Sequence, residues 1–171
     1  MSEIYPSELS TDDLLPTSSR FAVASVNGAV GKGVRAKIGF ERGTLVARFT
    51  GILSNRVLQH TLQVSPDTHL HDPYFVGMMT HSCSPNCVLD MHRLEIWSLS
   101  DVAPGELLTI DYAVTEDVLF RQFPCHCGSS RCRKWITGRR ERINEAGLAY
   151  LAGLASRKVR SIASRTRWGA R

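Results

Sequence analysis

No apolar run in the chain approaches the length of about 20 residues that a membrane span requires, which excludes an integral membrane helix. The N-terminal stretch MSEIYPSELSTDD is polar and acidic and lacks the basic flank and apolar core of a signal peptide. Both absences point to an intracellular protein, in the cytoplasm first and the nucleus second. Cysteine is sparse, with 5 residues in the chain, and in a reducing compartment these are metal ligands or free thiols rather than disulfides. Internal repeats and low-complexity tracts are missing. So is any alternation of strand and helix patterns, which removes the Rossmann-type sheets from consideration.

What is present suits one domain with an appendage. A chain of 171 residues, 43% hydrophobic and 22% charged, can bury a proper core. Its net charge of +5 is unevenly divided: residues 133–171 carry 11 Lys or Arg against Glu141 and Glu145, a net of +9, which leaves −4 on residues 1–132. A mildly acidic body suits a cationic substrate. A basic tail suits nucleic acid or an acidic partner, or is simply a solvated helix face.

Residues 1–20 read as a polar leader with little to bury. FAVASV (Phe21–Val26) has the composition of a strand, NGAVGKG over 27–33 that of a turn, and VRAKIGF that of a second short strand. The apolar LVARFTGIL and TLQV continue the β-like pattern, SPDTHLHDP has loop composition, and RLEIWSLS and LLTIDY add strands on either side of an APGE turn. Short strands with turns every eight to twelve residues make a mostly β domain. Beyond Cys132, Ile143, Gly147, Tyr150, Leu151 and Leu154 fall at helical spacing. They predict an amphipathic helix over 139–154, extending towards Ile162 and weakened by Gly147 and Gly153, with frayed residues after it.

The strongest local signal is CHCGSSRC, which spaces Cys125, Cys127 and Cys132 as C-x-C-x4-C, with Gly128 placed to tighten the turn. Three thiolates this close suit Zn²⁺, which takes soft sulfur ligands in a tetrahedron. The fourth ligand lies among Cys83, Cys87, His81 and His126. The ring of His126, between two ligands, is expected to point away, so Cys83 or Cys87 is preferred. GELLTIDY (105–112) and GKGVRA (Gly31–Ala36) are weaker signals singly: the first is an ordinary strand with a packed aromatic, the second a glycine turn that lets a ligand approach the backbone.

Taken in order, GKGVRA, THSCSPN, GELLTIDY and CHCGSSRCRKWI resemble the motifs of the SET-domain family of protein-lysine methyltransferases, over about residues 21–136. The resemblance implies a mostly β fold of short sheets closed by a C-terminal pseudoknot, then a post-SET zinc knuckle and a helix. The boundaries are a leader over 1–20, a SET domain over 21–112, a post-SET segment over 113–136 and a basic helical tail over 137–171. It implies S-adenosylmethionine as cofactor, bound by Lys32, Gly33, Thr80 and His81, with Trp135 over the adenine or packed in the core. Tyr112 becomes the catalytic tyrosine, and Cys83 joins Cys125, Cys127 and Cys132 on one structural zinc, leaving Cys87 a spare thiol. The substrate implied is a lysine-containing protein.

The sequence departs from the family pattern at four places. Thr80 stands where relatives have asparagine, Gly77 replaces a common arginine, and Ile52 sits where many have an acid. Ile110 replaces an aromatic that sets methylation number, which favours acceptance of more than one methyl group. The insert between FTG and THSC is only about thirty residues, so the peptide groove is expected to be shallow or shared with a partner. Three other readings compete: methylation of a small-molecule amine, a non-catalytic binding module with a basic tail, and a cysteine nucleophile formed by Cys83 and His81.

Overall fold

Short runs of β-branched and aromatic residues, interrupted by glycine and proline, yield strands too short for one large sheet. The computed structural model describes residues 4–9, 13–26 and 31–166, with side chains as far as residue 157. Among these residues, β1 (Phe21–Val26) and β2 (Gly31–Ala36) form an antiparallel pair in which Val26 faces Gly31. β3 (Leu45–Arg48) and β4 (Ile52–Ser54) follow, split by the Phe49–Thr50–Gly51 turn, and then β5 (Thr61–Ser65) and β6 (Thr68–His71). β7 (Thr80–His81), β8 (Cys87–Asp90), β9 (Glu95–Ser98) and β10 (Thr109–Ile110) lead to the one-turn helix α1 (Tyr112–Thr115). β11 (Phe123–Pro124), β12 (Trp135–Ile136) and the long helix α2 (Glu145–Thr166) complete the order. The strands form two three-stranded antiparallel sheets, β3-β9-β8 and β4-β6-β5, and a parallel β10-β7 pair, and β11 pairs with β12. The mostly β expectation holds.

Three readings of the sequence need correction. The leader is not idle: Tyr5 (3% exposed) and Leu15 (7%) enter the main core, and Ile4 and Leu9 pack against it. Its apolar residues have no period, so nothing in the pattern announced their burial. Within SPDTHLHDP, expected to be a loop, Thr68–His71 is the central strand of a sheet, with His69 and Leu70 both buried. The glycine turn is shorter than expected, since Gly31, Lys32 and Gly33 already pair with β1; residues 27–30 lie outside the described residues.

The C-terminal helix also begins later than the spacing predicts. Residues 138–142 are held elsewhere: Arg139 N donates to Glu116 O, Arg140 N to Asp117 O, and the Glu141 carboxylate accepts from Gly138 N and Leu119 N. Asn144 then caps α2, its Oδ1 accepting from Gly147 N at 2.9 Å. Gly147 is a packing residue rather than a defect. A Cβ there would lie 2.5 Å from Trp135 Nε1, so only glycine lets the helix settle onto the indole. The helix runs on to Thr166, and the end of the segment expected to fray, 167–171, lies outside the described residues.

Candidate active site

Two distant motifs meet because β7 and β10 pair in parallel, Thr80 opposite Thr109 and His81 opposite Ile110, continued by Ser82 N donating to Ile110 O. Two-residue strands cannot hold such a pairing alone. Asn86, 8% exposed, supplies the rest by acting as a short extra strand. Its Oδ1 accepts from Thr109 N at 2.8 Å, its Nδ2 donates to Leu107 O at 2.8 Å, and its own N donates to Thr109 Oγ1. Nothing local in the sequence marks Asn86, because the partners that reveal its role lie about twenty residues away.

Asp111 ends this pairing and caps α1 by accepting from Ala113 N at 3.0 Å. Tyr112 is therefore the first residue of a helical turn, not the last of a strand. Its hydroxyl donates to Met79 O at 2.5 Å. Burial first, and then the Glu116 charge, holds the phenol above its usual range, so it keeps its proton at neutral pH. Around it His81 and Phe123 complete a cluster of three edge-on rings, with centroids 5.4 to 5.9 Å apart. Phe123 carried no signal in the sequence.

The His81 ring is 3% exposed, and burial, aided by Arg133 and opposed by Asp111, brings it down to about 4. It is neutral. Tyr112 N donates to Nδ1 at 3.3 Å, which puts the ring proton on Nε2, facing Cys83 Sγ at 3.4 Å. Both ring nitrogens are thus committed within the protein.

The sulfur atoms of Cys83, Cys125, Cys127 and Cys132 all lie within 4.8 Å of one another. Ligand sulfurs about 2.3 Å from a tetrahedral zinc sit about 3.8 Å apart, and Cys83 and Cys125 are 3.9 Å apart. Four soft thiolates at this spacing fit one Zn²⁺. Gly128, at φ +76°, makes the knuckle turn, and the Ser84 and Ser129 hydroxyls, 2.9 Å apart, tie the two ligand segments together. Arg133 fastens the same joint twice, its N donating to Cys83 Sγ and its guanidinium to Asp111 at 2.5 Å. Burial works against ionising the Cys127 thiol, yet backbone donors from Cys83 and Ser129 bring it down to about 6. Cys87 is outside this group, 1% exposed in the main core, with its thiol pushed up to about 12 by burial. His126 is exposed, against Tyr150.

Lys32, Gly33 and Thr80 come together as well. A Cβ on Gly33 would lie 3.0 Å from Thr80 Cγ2 and 2.7 Å from Val26 Cγ2, so glycine here makes room for the Thr80 methyl as much as for a ligand. Gly31 is open, with nothing within 4 Å of such an atom, and Lys32 is exposed. Trp135 lies on β12, 9% exposed. Its Nε1 donates to Gln122 Oε1 at 3.1 Å and its ring lies against Gly147 and Tyr150.

A chain of small sheets, joined by a parallel pair and closed by a cysteine knuckle, has the SET fold. Residues 31–113 match the SET domain family. Human Histone-lysine N-methyltransferase 2D is 29% identical over 129 residues, which cover 62% of this chain and 2% of that protein. Histone-lysine N-methyltransferase trithorax of Drosophila virilis is 40% identical over 65 residues, 34% of this chain and 2% of that protein. The chain therefore spans a very small part of these relatives. Among solved structures, KRYPTONITE in complex with mCHG DNA and SAH superposes with a TM-score of 0.54 at 26% identity, over 68% of this chain and 29% of that one. The methyltransferase domain of human SETMAR, at a TM-score of 0.55 and 18% identity over 69% and 58% of the two chains, shares the fold.

Proposed function

We propose that this chain is a protein-lysine N-methyltransferase using S-adenosylmethionine. The observation that carries the reading is the Tyr112 phenol, protonated, fixed on the Met79 carbonyl, and set between His81 and the four-cysteine cluster. When bound, S-adenosylmethionine supplies a sulfonium-activated methyl group. The residues to hold it are Lys32, Gly33, Thr80 and the His81 main chain: the open face at Gly31 leaves room, and exposed Lys32 suits a carboxylate.

The work left to the chain is alignment. A lysine amine, with an ordinary pKa of about 10.4, must lose its proton before it can accept a methyl group, and desolvation beside the half-buried Tyr112 ring favours the neutral form. The Tyr112 hydroxyl already gives its proton to Met79 O, so its lone pairs remain to accept from the amine N–H. A phenol held above its usual range is a poor base; Tyr112 orients the amine and stabilises developing charge. The four cysteines hold zinc to fix the segment beyond Tyr112, with no part in transfer.

A peptide suits the surroundings better than a small amine. Beside α1 a groove of about 860 Å³ is lined by Gln63, Val64, Trp97, Val114, Thr115 and Asp117 among others. KRYPTONITE has been solved with an H3(1-15) peptide, which supports a lysine-bearing peptide as substrate here. The net +9 over residues 133–171 suits an anionic partner. Methyl-labelled S-adenosylmethionine, incubated with histones, cell lysate or a small-molecule extract beside Tyr112→Phe, tests the reading. Label in protein bands that disappears in the variant supports it. Label confined to small molecules favours the amine alternative, and no cofactor binding by calorimetry sinks both.

A further inference from the structure

The N-terminal segment precedes the matched residues 31–113, yet it reaches the site through one buried carboxylate. The Tyr5 hydroxyl donates to Asp72 Oδ2 at 2.5 Å, and Asp72 is 0% exposed. Its oxygens also accept from the main-chain N–H groups of Tyr74 (2.8 Å), Phe75 (3.0 Å) and Val76 (2.8 Å). A carboxylate is tolerated in such a place only when its lone pairs are satisfied. Here four converging donors do this, and in doing so wind residues 72–79 into a tight turn.

Other contacts leave that turn little freedom. Asp72 N donates to His60 O at 3.0 Å, and His60 Nδ1 lies 2.7 Å from Gly77 O. A Cβ on Gly77 would stand 2.2 Å from Asp72 O and 2.6 Å from His60 O, so this position takes only glycine. That accounts physically for the arginine missing there. The carbonyl that ends the turn belongs to Met79, and it is the one that accepts the Tyr112 hydroxyl. Tyr5 also receives a bond from Thr50 N at 3.4 Å, so its hydroxyl ties the leader to two turns at once.

We propose that Tyr5 is a positioning residue for methyl transfer, setting the Met79 carbonyl, and through it the Tyr112 phenol, by way of the Asp72-capped turn. The proposal rests on the reading of Tyr112 as the catalytic tyrosine. Removing one of the four donors loosens the cap, and alignment-limited chemistry is sensitive to displacements of about 1 Å.

Tyr5→Phe keeps the ring and deletes the donor. The expected result is a kcat lowered about tenfold with the KM for S-adenosylmethionine within about twofold. In protein labelled with ¹³C at tyrosine Cζ, the Tyr112 resonance, assigned by its loss in Tyr112→Phe, should move. Leu15→Ala removes a buried side chain from the same segment without touching Asp72. It should lower Tm at least as far while leaving kcat within about twofold and the Tyr112 resonance in place. An unmoved resonance in Tyr5→Phe, an unchanged kcat, or an equal fall of kcat in Leu15→Ala each overturns the proposal. If the wild type transfers no methyl group to any acceptor, the functional reading falls, and the resonance alone decides whether Tyr5 governs Tyr112.

Discussion

From Tyr5 to Ile110 the chain buries an ordinary apolar core of Phe21, Val46, Phe75, Ile96, Leu108 and their neighbours, whereas among the described residues beyond Tyr112 a small cluster of Leu119, Cys125 and Ile136 is gathered around the thiols. The first cluster is large enough to hold itself by burial of hydrocarbon. The second is not, and its compensation is chemical: four thiolates positioned for a cation. Tyr112 packs against both clusters. The tyrosine proposed to orient the amine therefore sits where a part that folds by burial meets a part built around four thiols spaced for a metal ion.

That contrast can be broken from either side. The largest effect is expected from metal removal: a chelator should release about one zinc per chain, and hydrogen exchange should lose protection over residues 119–136 while β1, β2 and β9 keep theirs. Uniform loss of protection would show the two clusters to be one cooperative unit. Next comes Tyr112→Phe, for which a fall of at least about 100-fold in methyl transfer is expected, with stability lowered by only about 1 kcal/mol; measuring both in the same preparation separates chemistry from folding. Phe21→Ala, at 0% exposure, should cost about 3–5 kcal/mol in urea unfolding whether or not zinc is bound.

A smaller effect marks the seam between the regions. Glu116 accepts from Gln63 N at 3.1 Å on each oxygen, but burial outweighs those bonds and pushes it up to about 7. A carboxyl raised in the folded state stabilises while protonated, and the contribution disappears as pH rises through the folded value. Between about pH 4 and 8, from below the unfolded carboxyl value to above the folded one, the wild type should lose up to about 3 kcal/mol that Glu116→Gln retains; parallel slopes for the two proteins would rule out Glu116 as the source. Smallest of all, Cys87→Ser should leave the zinc content unchanged, checked by metal analysis of the purified variant.

What could be read from the sequence was local. The C-x-C-x4-C spacing and the FAVASV and RLEIWSLS strands identify themselves within a few residues, and the family resemblance then supplied the order of the parts and the meaning of the DY pair. What could not be read is carried by partners far away in the chain. Asn86 looks like a turn residue until Thr109 and Leu107 are beside it. Phe123 becomes part of the site only through His81 and Tyr112. Thr68–His71 has two histidines in four residues and reads as a loop, yet pairing on both sides makes it the centre of a sheet. The helix start was missed because residues 138–142 are claimed by Glu116, Asp117 and Leu119, contacts that helical periodicity cannot report.

The cysteine cluster has one more consequence, for the unfolded chain. Cys83 and Cys125 are 42 residues apart in sequence. A cation held by both therefore acts as a cross-link across everything between them, including β8, β9 and β10. By the chain-entropy reckoning used for disulfides, closing a loop of that span is worth about 4 kcal/mol, nearly all of it taken from the disorder of the denatured state. A reducible bond of that reach would be hard to keep in a reducing compartment. Four thiolates around a redox-inert ion achieve the same restraint with no oxidation.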